Sequence, residues 1–154
     1  MTNLDRLDRA ILHRLQNDAS QTNAELAEQV GLSTNACWRR VKRLEEDGII
    51  QNRVALLDRK ALGLPVTVFV SVQAKEHTDT WLTQFAAAVA AVPEVMEFYR
   101  LSGDVDYLLK VVVRDIADYD RVYKQLIALS PLSDVSSSFA MECIKSTTAL
   151  PLPG

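Results

Sequence analysis

Residues 22–50 read TNAELAEQVGLSTNACWRRVKRLEEDGII, and their spacing decides how the first third of the chain folds. Thr22 stands three residues before Glu25, the spacing at which a hydroxyl and a carboxylate cap each other's backbone N–H groups. It opens a short helix with apolar positions Leu26 and Val30, closed by Gly31 where a left-handed residue is usually needed. Ser33 then caps a third helix that runs to Asp47 and is stopped by Gly48. Only Gly31, Leu32 and Ser33 separate these two helices, so they must turn sharply against each other. Upstream, Leu4, Leu7, Ile11, Leu12 and Leu15 recur at helical spacing and predict an amphipathic helix from Leu4 to Gln16. A tight helix–turn–helix with a cationic second member is an arrangement that reads DNA.

The third helix carries the chemistry. Cys37, Val41 and Leu44 at i, i+4 and i+7 form its buried stripe, which leaves Asn35, Trp38, Arg39 and Lys42 on the opposite face and Arg40 and Arg43 on a flank. Asn and Arg make bidentate contacts to adenine and guanine edges, whereas Lys and the flanking Arg side chains suit phosphates. Ser33 and Thr34 place backbone N–H groups at the helix N-terminus, where a phosphate is favoured. The alternative is a solvated cationic face, against which an exposed Trp38 weighs. After Gly48, Ile49–Ile50 and Val54–Leu57 read as two short strands around Gln51-Asn52-Arg53. That is a wing whose tip residue, Arg53, could reach the DNA backbone; a structural hairpin without DNA contact is the alternative.

Composition agrees with this reading only once it is divided. The chain has 154 residues, enough for one ordinary domain or two small ones, with 48% hydrophobic and 24% charged residues, which are globular values. The longest mainly apolar stretch, Phe85 to Val95, is broken by Pro93 and Glu94 and falls far short of a bilayer span. No apolar signal core follows the N-terminus, and two cysteines make no disulfide framework, so a cytoplasmic protein with no membrane partner is expected. The net charge of −3 argues against nucleic acid, but residues 1–60 hold ten basic and nine acidic side chains and residues 61–154 hold seven and eleven. Arg39, Arg40, Lys42 and Arg43 place four cations in five positions, with no acid between Glu28 and Glu45. Such a patch attracts phosphate whatever the total, because salt confines each charge to ~8–10 Å.

The remaining residues repeat a strand–helix–strand pattern. Val66, Val68, Val70 and Val72 alternate with Thr67, Phe69, Ser71 and Gln73 as in a strand. A helix from Asp79 to Pro93, strands over Val95–Leu101 and Tyr107–Val113, a second helix from Ile116 broken by Pro131, and a strand over Val135–Ile144 complete the order βαββαβ. That order predicts a ferredoxin-like sandwich and an α+β chain, divided into a winged helix–turn–helix (1–60) and a βαββαβ domain (61–154). Its helices cover one face of the sheet, and four alternating valines cannot all face water, so dimerisation through the sheet is expected.

The strings LDRLDRAILHRLQNDA, NAELAEQVGLS, CWRRVKRLEEDGII, LSGDVDYLLKV and SSFAMECIK resemble the Lrp/AsnC family of transcription regulators in family order over nearly the whole chain. The resemblance implies a winged helix–turn–helix joined to a ligand-sensing βαββαβ domain, and dimers assembling to an octamer with an amino acid bound between dimers. It places the effector on Leu101, Ser102, Gly103, Asp104, Asp106 and Tyr107, with Ser136, Ser137 and Ser138 lining the site or facing it from the adjoining dimer. The chemistry agrees: Gly103 lets backbone N–H groups approach a carboxylate, and Asp104 or Asp106 can pair with an α-ammonium. A plain hairpin is the alternative at Gly-Asp. Many members have Ser-Pro at the recognition-helix start and a second Pro before the Cys. Here these are Ser33-Thr34 and Ala36-Cys37, so the DNA sequence preference need not follow theirs.

Catalytic readings find little support. His13 and His77 have no partner at metal-like spacing, Cys37 lies on a buried stripe where packing or redox sensing by a thiol beside cations are the alternatives, and Cys143 has no activating neighbour. No metal, no cofactor and no enzymatic activity are expected. The sequence reads as a specific DNA-binding transcription regulator that senses an amino acid; the alternative is a nucleoid-type architectural protein that wraps double-stranded DNA with little specificity and no effector.

Overall fold

A computed structural model of the chain describes residues 4–75, 78–128 and 132–152. His77 and Pro131, read above as a loop histidine and a helix breaker, lie outside the described residues. The chain forms two compact units, Met1–Leu56 with Ile144–Gly154, and Leu57–Cys143.

In the first unit, α1 (Arg6–Asn17), α2 (Asn23–Val30) and α3 (Thr34–Glu46) follow one another with short turns. Each start is capped by a side chain that satisfies an otherwise orphaned backbone donor. Asp5 and Asp8 cap α1 reciprocally, at 2.8 and 3.1 Å. Thr22 and Glu25 do the same for α2, as their spacing predicts. Ser33 accepts the Ala36 N–H at the start of α3. Gly31, at φ 70°, closes α2 and lets the Leu32 N–H return to the Ala27 carbonyl at 2.9 Å, which keeps the helix–turn–helix tight. Ile11, Leu12, Leu26, Ala27, Cys37, Val41 and Leu44 form the core, and Leu4, Leu15, Val30, Leu32, Ile49, Ile50 and Leu152 pack around it.

Two expectations for this region need correction. Among the described residues after α3 there is no strand before β1: the Ile49 and Ile50 N–H groups both return to the Leu44 carbonyl, and residues 51–58 carry neither helix nor strand. Ile49 and Ile50 are apolar because they seal the helical core. The tail Ile144–Gly154, assigned above to the second domain, belongs with the first unit.

The second unit is β1 (Val66–Ala74), α4 (Asp79–Ala90), β2 (Val95–Arg100), β3 (Tyr107–Val113), α5 (Ile116–Ala128) and β4 (Leu132–Phe139). The four strands form one antiparallel sheet in the order β2-β3-β1-β4, the ferredoxin-like arrangement. Val68, Val70 and Val72 lie opposite Val111, Leu109 and Tyr107 and pack with Phe85, Val89, Val122 and Leu126 of the helices. The valine face is therefore the helix-covered one, and it makes no case for dimerisation. The other face presents Phe69 (37% exposed) and Tyr99 (51%), with the Glu97–Lys110 ion pair at 2.7 Å beside them. β4 begins at Leu132 and ends at Phe139, earlier than the alternation suggested.

Asp118, buried in the first turn of α5, accepts from the Arg114 and Arg121 side chains and from the Arg114 N–H. The Arg114 and Arg121 guanidinium groups hold its carboxyl far below the usual carboxylate range. A depressed folded-state pKa contributes stability that is complete above the unfolded value of ~3.9 and is lost as pH falls through the folded value. Asp118→Asn is expected to flatten the fall in thermal midpoint between about pH 4 and pH 2. Calorimetry over that range checks it, and an unchanged slope contradicts it.

Candidate nucleic-acid interface and effector turn

The roll of α3 about its own axis determines which side chains it offers. Cys37, Val41 and Leu44 are buried as the spacing predicts, and burial pushes the Cys37 thiol up, opposite to what a reactive thiolate requires. Ser33, Thr34, Asn35, Trp38, Arg39 and Lys42 are exposed along the other side. Trp38 is 52% exposed, and the Lys42 ammonium lies 5.2 Å from its ring centroid, a cation–π contact. The Asn23 side chain donates to the Thr34 carbonyl at 3.0 Å and so ties the start of α2 to the start of α3.

Arg40 and Arg43 do not share that face. Arg40 Nη1 lies 2.7 Å from Asp5 and 2.8 Å from Asp8, and Arg43 Nη2 lies 2.6 Å from Asp8. Asp8 is 1% exposed. The Asp8 N–H, and then the Arg40 guanidinium, hold the Asp5 carboxyl below its ordinary range. Both arginines, read from the sequence as phosphate contacts, are drawn onto α1 and position α3. Arg53 is paired as well, with Glu45 at 2.8 Å. A cleft of about 400 Å³ lies between these groups, lined by Gln21, Asn23, Trp38, Lys42, Glu45 and Arg53.

In the second unit the β2–β3 turn is built around Gly103, whose φ of 132° suits glycine alone. Leu101, Ser102, Gly103 and Asp104 are exposed. Asp106 is committed to the fold: its carboxylate accepts the Ala74 N–H at 2.9 Å, its own N–H reaches the Val72 carbonyl, and its carbonyl accepts the Leu101 N–H. Tyr107 is 2% exposed within a ring cluster with Phe98, Phe85 and Trp81 at centroid distances of 5.6, 5.7 and 5.9 Å, so it supports the turn from beneath. Gln73, which the sequence reading passed over, donates to the Asp104 carbonyl at 2.5 Å and accepts from the Ser133 hydroxyl at 3.0 Å through its own carbonyl. Its signal was position, as the polar end of the set Thr67, Phe69, Ser71 and Gln73, which lies on the face of β1 turned away from the helices.

The three serines of β4 do not act as one group. Ser137 faces the helices and bonds the Tyr119 hydroxyl, whereas Ser136 and Ser138 are exposed. β2 and β4 are opposite edges of the sheet, and no hydrogen bond among the described residues joins Ser136 or Ser138 to the turn. No cluster of His, Cys, Asp and Glu that could hold a metal occurs among the described residues, and none of their helices is long and apolar enough to cross a membrane.

Residues 4–51 match the family described as winged helix-turn-helix DNA-binding, and residues 67–150 match the Lrp/AsnC ligand binding domain. The chain is 55% identical over 150 residues to the glutamate uptake regulatory protein of Zymomonas mobilis, spanning 97% of this chain and 92% of that protein. It is 48% identical over 150 residues to the DNA-binding transcriptional activator DecR of Escherichia coli, spanning 97% and 99%. An AsnC family transcriptional regulator from Agrobacterium tumefaciens superposes with a TM-score of 0.94 at 57% identity, over 96% of this chain and 97% of that one. A transcriptional regulator from Neisseria meningitidis, solved as an L-Met complex, superposes with a TM-score of 0.92 at 37% identity, over 97% of each chain. These relatives are transcription regulators, not enzymes.

The two kinds of arginine on α3 are separable by stability. Arg40→Ala and Asp8→Asn should each lower the stability of the first unit by about 1–3 kcal/mol, discounted from a fully buried pair because Arg40 and Arg43 reach solvent. Arg39→Ala, on the exposed face, should stay within about 0.5 kcal/mol of the parent. Urea titrations following Trp38 fluorescence in a Trp81→Phe background measure this, and equal midpoints for the three variants would contradict it.

Proposed function

The chain belongs to the Lrp/AsnC family of transcription regulators, and from that premise we propose that it reads double-stranded DNA with the exposed face of α3 and responds to an amino acid held at the β2–β3 turn. The observation that carries the proposal is the sorting of cations on α3: Arg40 and Arg43 are spent on Asp8, which leaves Asn35, Trp38, Arg39 and Lys42 together on the open side. In this proposal Asn35 and Arg39 take base edges, and Ser33, Thr34 and Lys42 take phosphates. Arg53 reaches phosphate once it leaves Glu45. Two copies associate through the open sheet face, where Phe69 and Tyr99 lie exposed. Their two α3 helices then enter successive major grooves roughly 34 Å apart, on a near-palindromic site.

The effector proposal rests on the turn. Asp104 offers an exposed carboxylate for an α-ammonium, and the backbone N–H groups about Gly103 suit the carboxylate of the same molecule. Leu101, 41% exposed, provides an apolar wall. Ser102 lies within the turn, and Ser136 and Ser138 face it from an adjoining dimer. Dimers joined in this way assemble to an octamer, and the amino acid shifts that assembly only by as much as it prefers one state over the other. The L-Met complex of the Neisseria relative supports an amino acid as the ligand class.

In vitro selection from random duplex DNA should return a near-palindromic consensus. Arg39→Ala should weaken binding to it by roughly 10- to 100-fold in gel-shift titrations, the worth of one bidentate base contact. Selection without a consensus would instead identify an architectural DNA-wrapping protein. A thermal-shift screen of the twenty amino acids should find one that raises the midpoint, since a ligand of the native state must stabilise it. Asp104→Ala should abolish that shift with DNA binding intact; normal calorimetric binding by this variant overturns the assignment of Asp104.

A further inference from the structure

We infer that Trp38 is a thymine reader: its indole ring meets the C5-methyl group of a thymine within the half-site, and so sets the base preference at a position that Asn35 and Arg39 do not read. This rests on the DNA-reading role proposed for α3. The three helices otherwise hide their large apolar side chains. Ile11, Leu12, Leu26, Val41 and Leu44 are buried, and Leu4, Leu15 and Val30 pack around them. The tail covers part of α1. There the Gln16 side-chain amide donates to the Leu150 carbonyl at 3.0 Å, the Leu150 N–H donates back to Gln16 Oε1 at 2.9 Å, and Leu152 packs against the core. Among the large apolar residues of α1 to α3 only Trp38 stands exposed, and it belongs neither to the core nor to the residues packed around it.

Its neighbours put the ring in the middle of the proposed contact face. Asn35 stands one helical turn before it, Lys42 one turn beyond and Arg39 beside it. The Lys42 ammonium, 5.2 Å from the ring centroid, covers one side of the ring and holds it before DNA arrives, which lowers the ordering cost of binding. A ring flanked by Arg39 and Lys42 suits a polyanion rather than an apolar protein surface, whose approach would bury both charges unpaired. The major groove then narrows what the ring can meet. Stacked bases show only their edges there, and adenine, guanine and cytosine present N7, O6 and the N6 and N4 amino groups, all polar. Against an indole ring such groups give up water without a replacement partner. Thymine alone adds a methyl group, next to its O4 acceptor. The Trp38 indole N–H, which has no acceptor among the described residues, matches that oxygen while the ring matches the methyl group. Cytosine in the same place would set its amino donor against the indole donor, so the side chain that accepts one pyrimidine rejects the other.

Deoxyuridine lacks the C5-methyl group and keeps every hydrogen-bonding group of thymine, so it isolates this contact. The thymines of the selected duplex are replaced by deoxyuridine one at a time and binding of the full chain is titrated. At one position in the half-site the parent should lose roughly threefold in affinity, the worth of one buried methyl group. Trp38→Ala should be indifferent to the same replacement. Selection with that variant should return the parent's consensus with the thymine preference lost there and the preferences set by Asn35 and Arg39 retained. In the parent, 5-iodouracil at that position, its iodine standing where the methyl group was, should crosslink on irradiation to Trp38, as peptide mapping reads. The parent's scan and crosslink decide the assignment even where Trp38→Ala folds poorly. A parent scan with no penalty at any thymine, a penalty that persists in Trp38→Ala, or crosslinks that fall on other residues overturns the thymine contact and leaves the DNA-reading role of α3 standing. A parent that returns no consensus overturns that role and the thymine contact with it.

Discussion

A carboxylate taken out of water needs positive charge beside it, and Asp8, 1% exposed on α1, draws both of its cations from α3. The helical positions of Arg40 and Arg43, three apart, bring both guanidinium groups to the same flank of α3. Pairing them with one buried anion fixes the roll of α3 about its axis together with the burial of Cys37, Val41 and Leu44. Asp8 also caps α1 together with Asp5, so a single side chain starts one helix and orients another. The side of α3 that remains for a ligand follows from that orientation.

The second unit applies the same logic to a turn. Tyr107 is packed among three other rings beneath the β2–β3 connection, Asp106 holds the end of β1 by its backbone, and Gln73 holds Asp104 by its carbonyl. Four residues are thereby left outward on a rigid base. Holding a few exposed groups on a packed support reduces the ordering that a small ligand would otherwise have to impose.

Helical order was fully legible in the sequence because it is local: the Thr22–Glu25 cap, Gly31 and the Cys37-Val41-Leu44 stripe each depend on neighbours within one or two turns. The βαββαβ order was legible for the same reason, through valine alternation and the helical stripes. What could not be read were consequences of distant partners. Arg40 and Arg43 looked identical in kind to Arg39 until α1 supplied an acid 32 and 35 residues away. A signal existed in Asp8, which interrupts the apolar stripe of Leu4, Ile11, Leu12 and Leu15 and must find a cation there. Ile49–Ile50 and Val54–Leu57 look like strands, yet a strand exists only where a neighbour accepts its hydrogen bonds; the first pair seals a helical core and the second segment finds no strand partner among the described residues. The resemblance put Ser136, Ser137 and Ser138 together at the site, although alternation along β4 sends them to opposite faces.

The return of the tail to α1 also bears on how the protein is made. Leu152 and Leu150 follow every strand in chain order, yet their places lie on the three helices that precede all of them. During synthesis, at ~5–20 residues per second, α1 to α3 can pack as soon as they emerge, with the Gln16 amide and the edge of their core left open to water. The first unit is completed only after the whole sheet has been translated. The nascent helical unit is thus a form of the protein without its tail, present for several seconds in each round of synthesis.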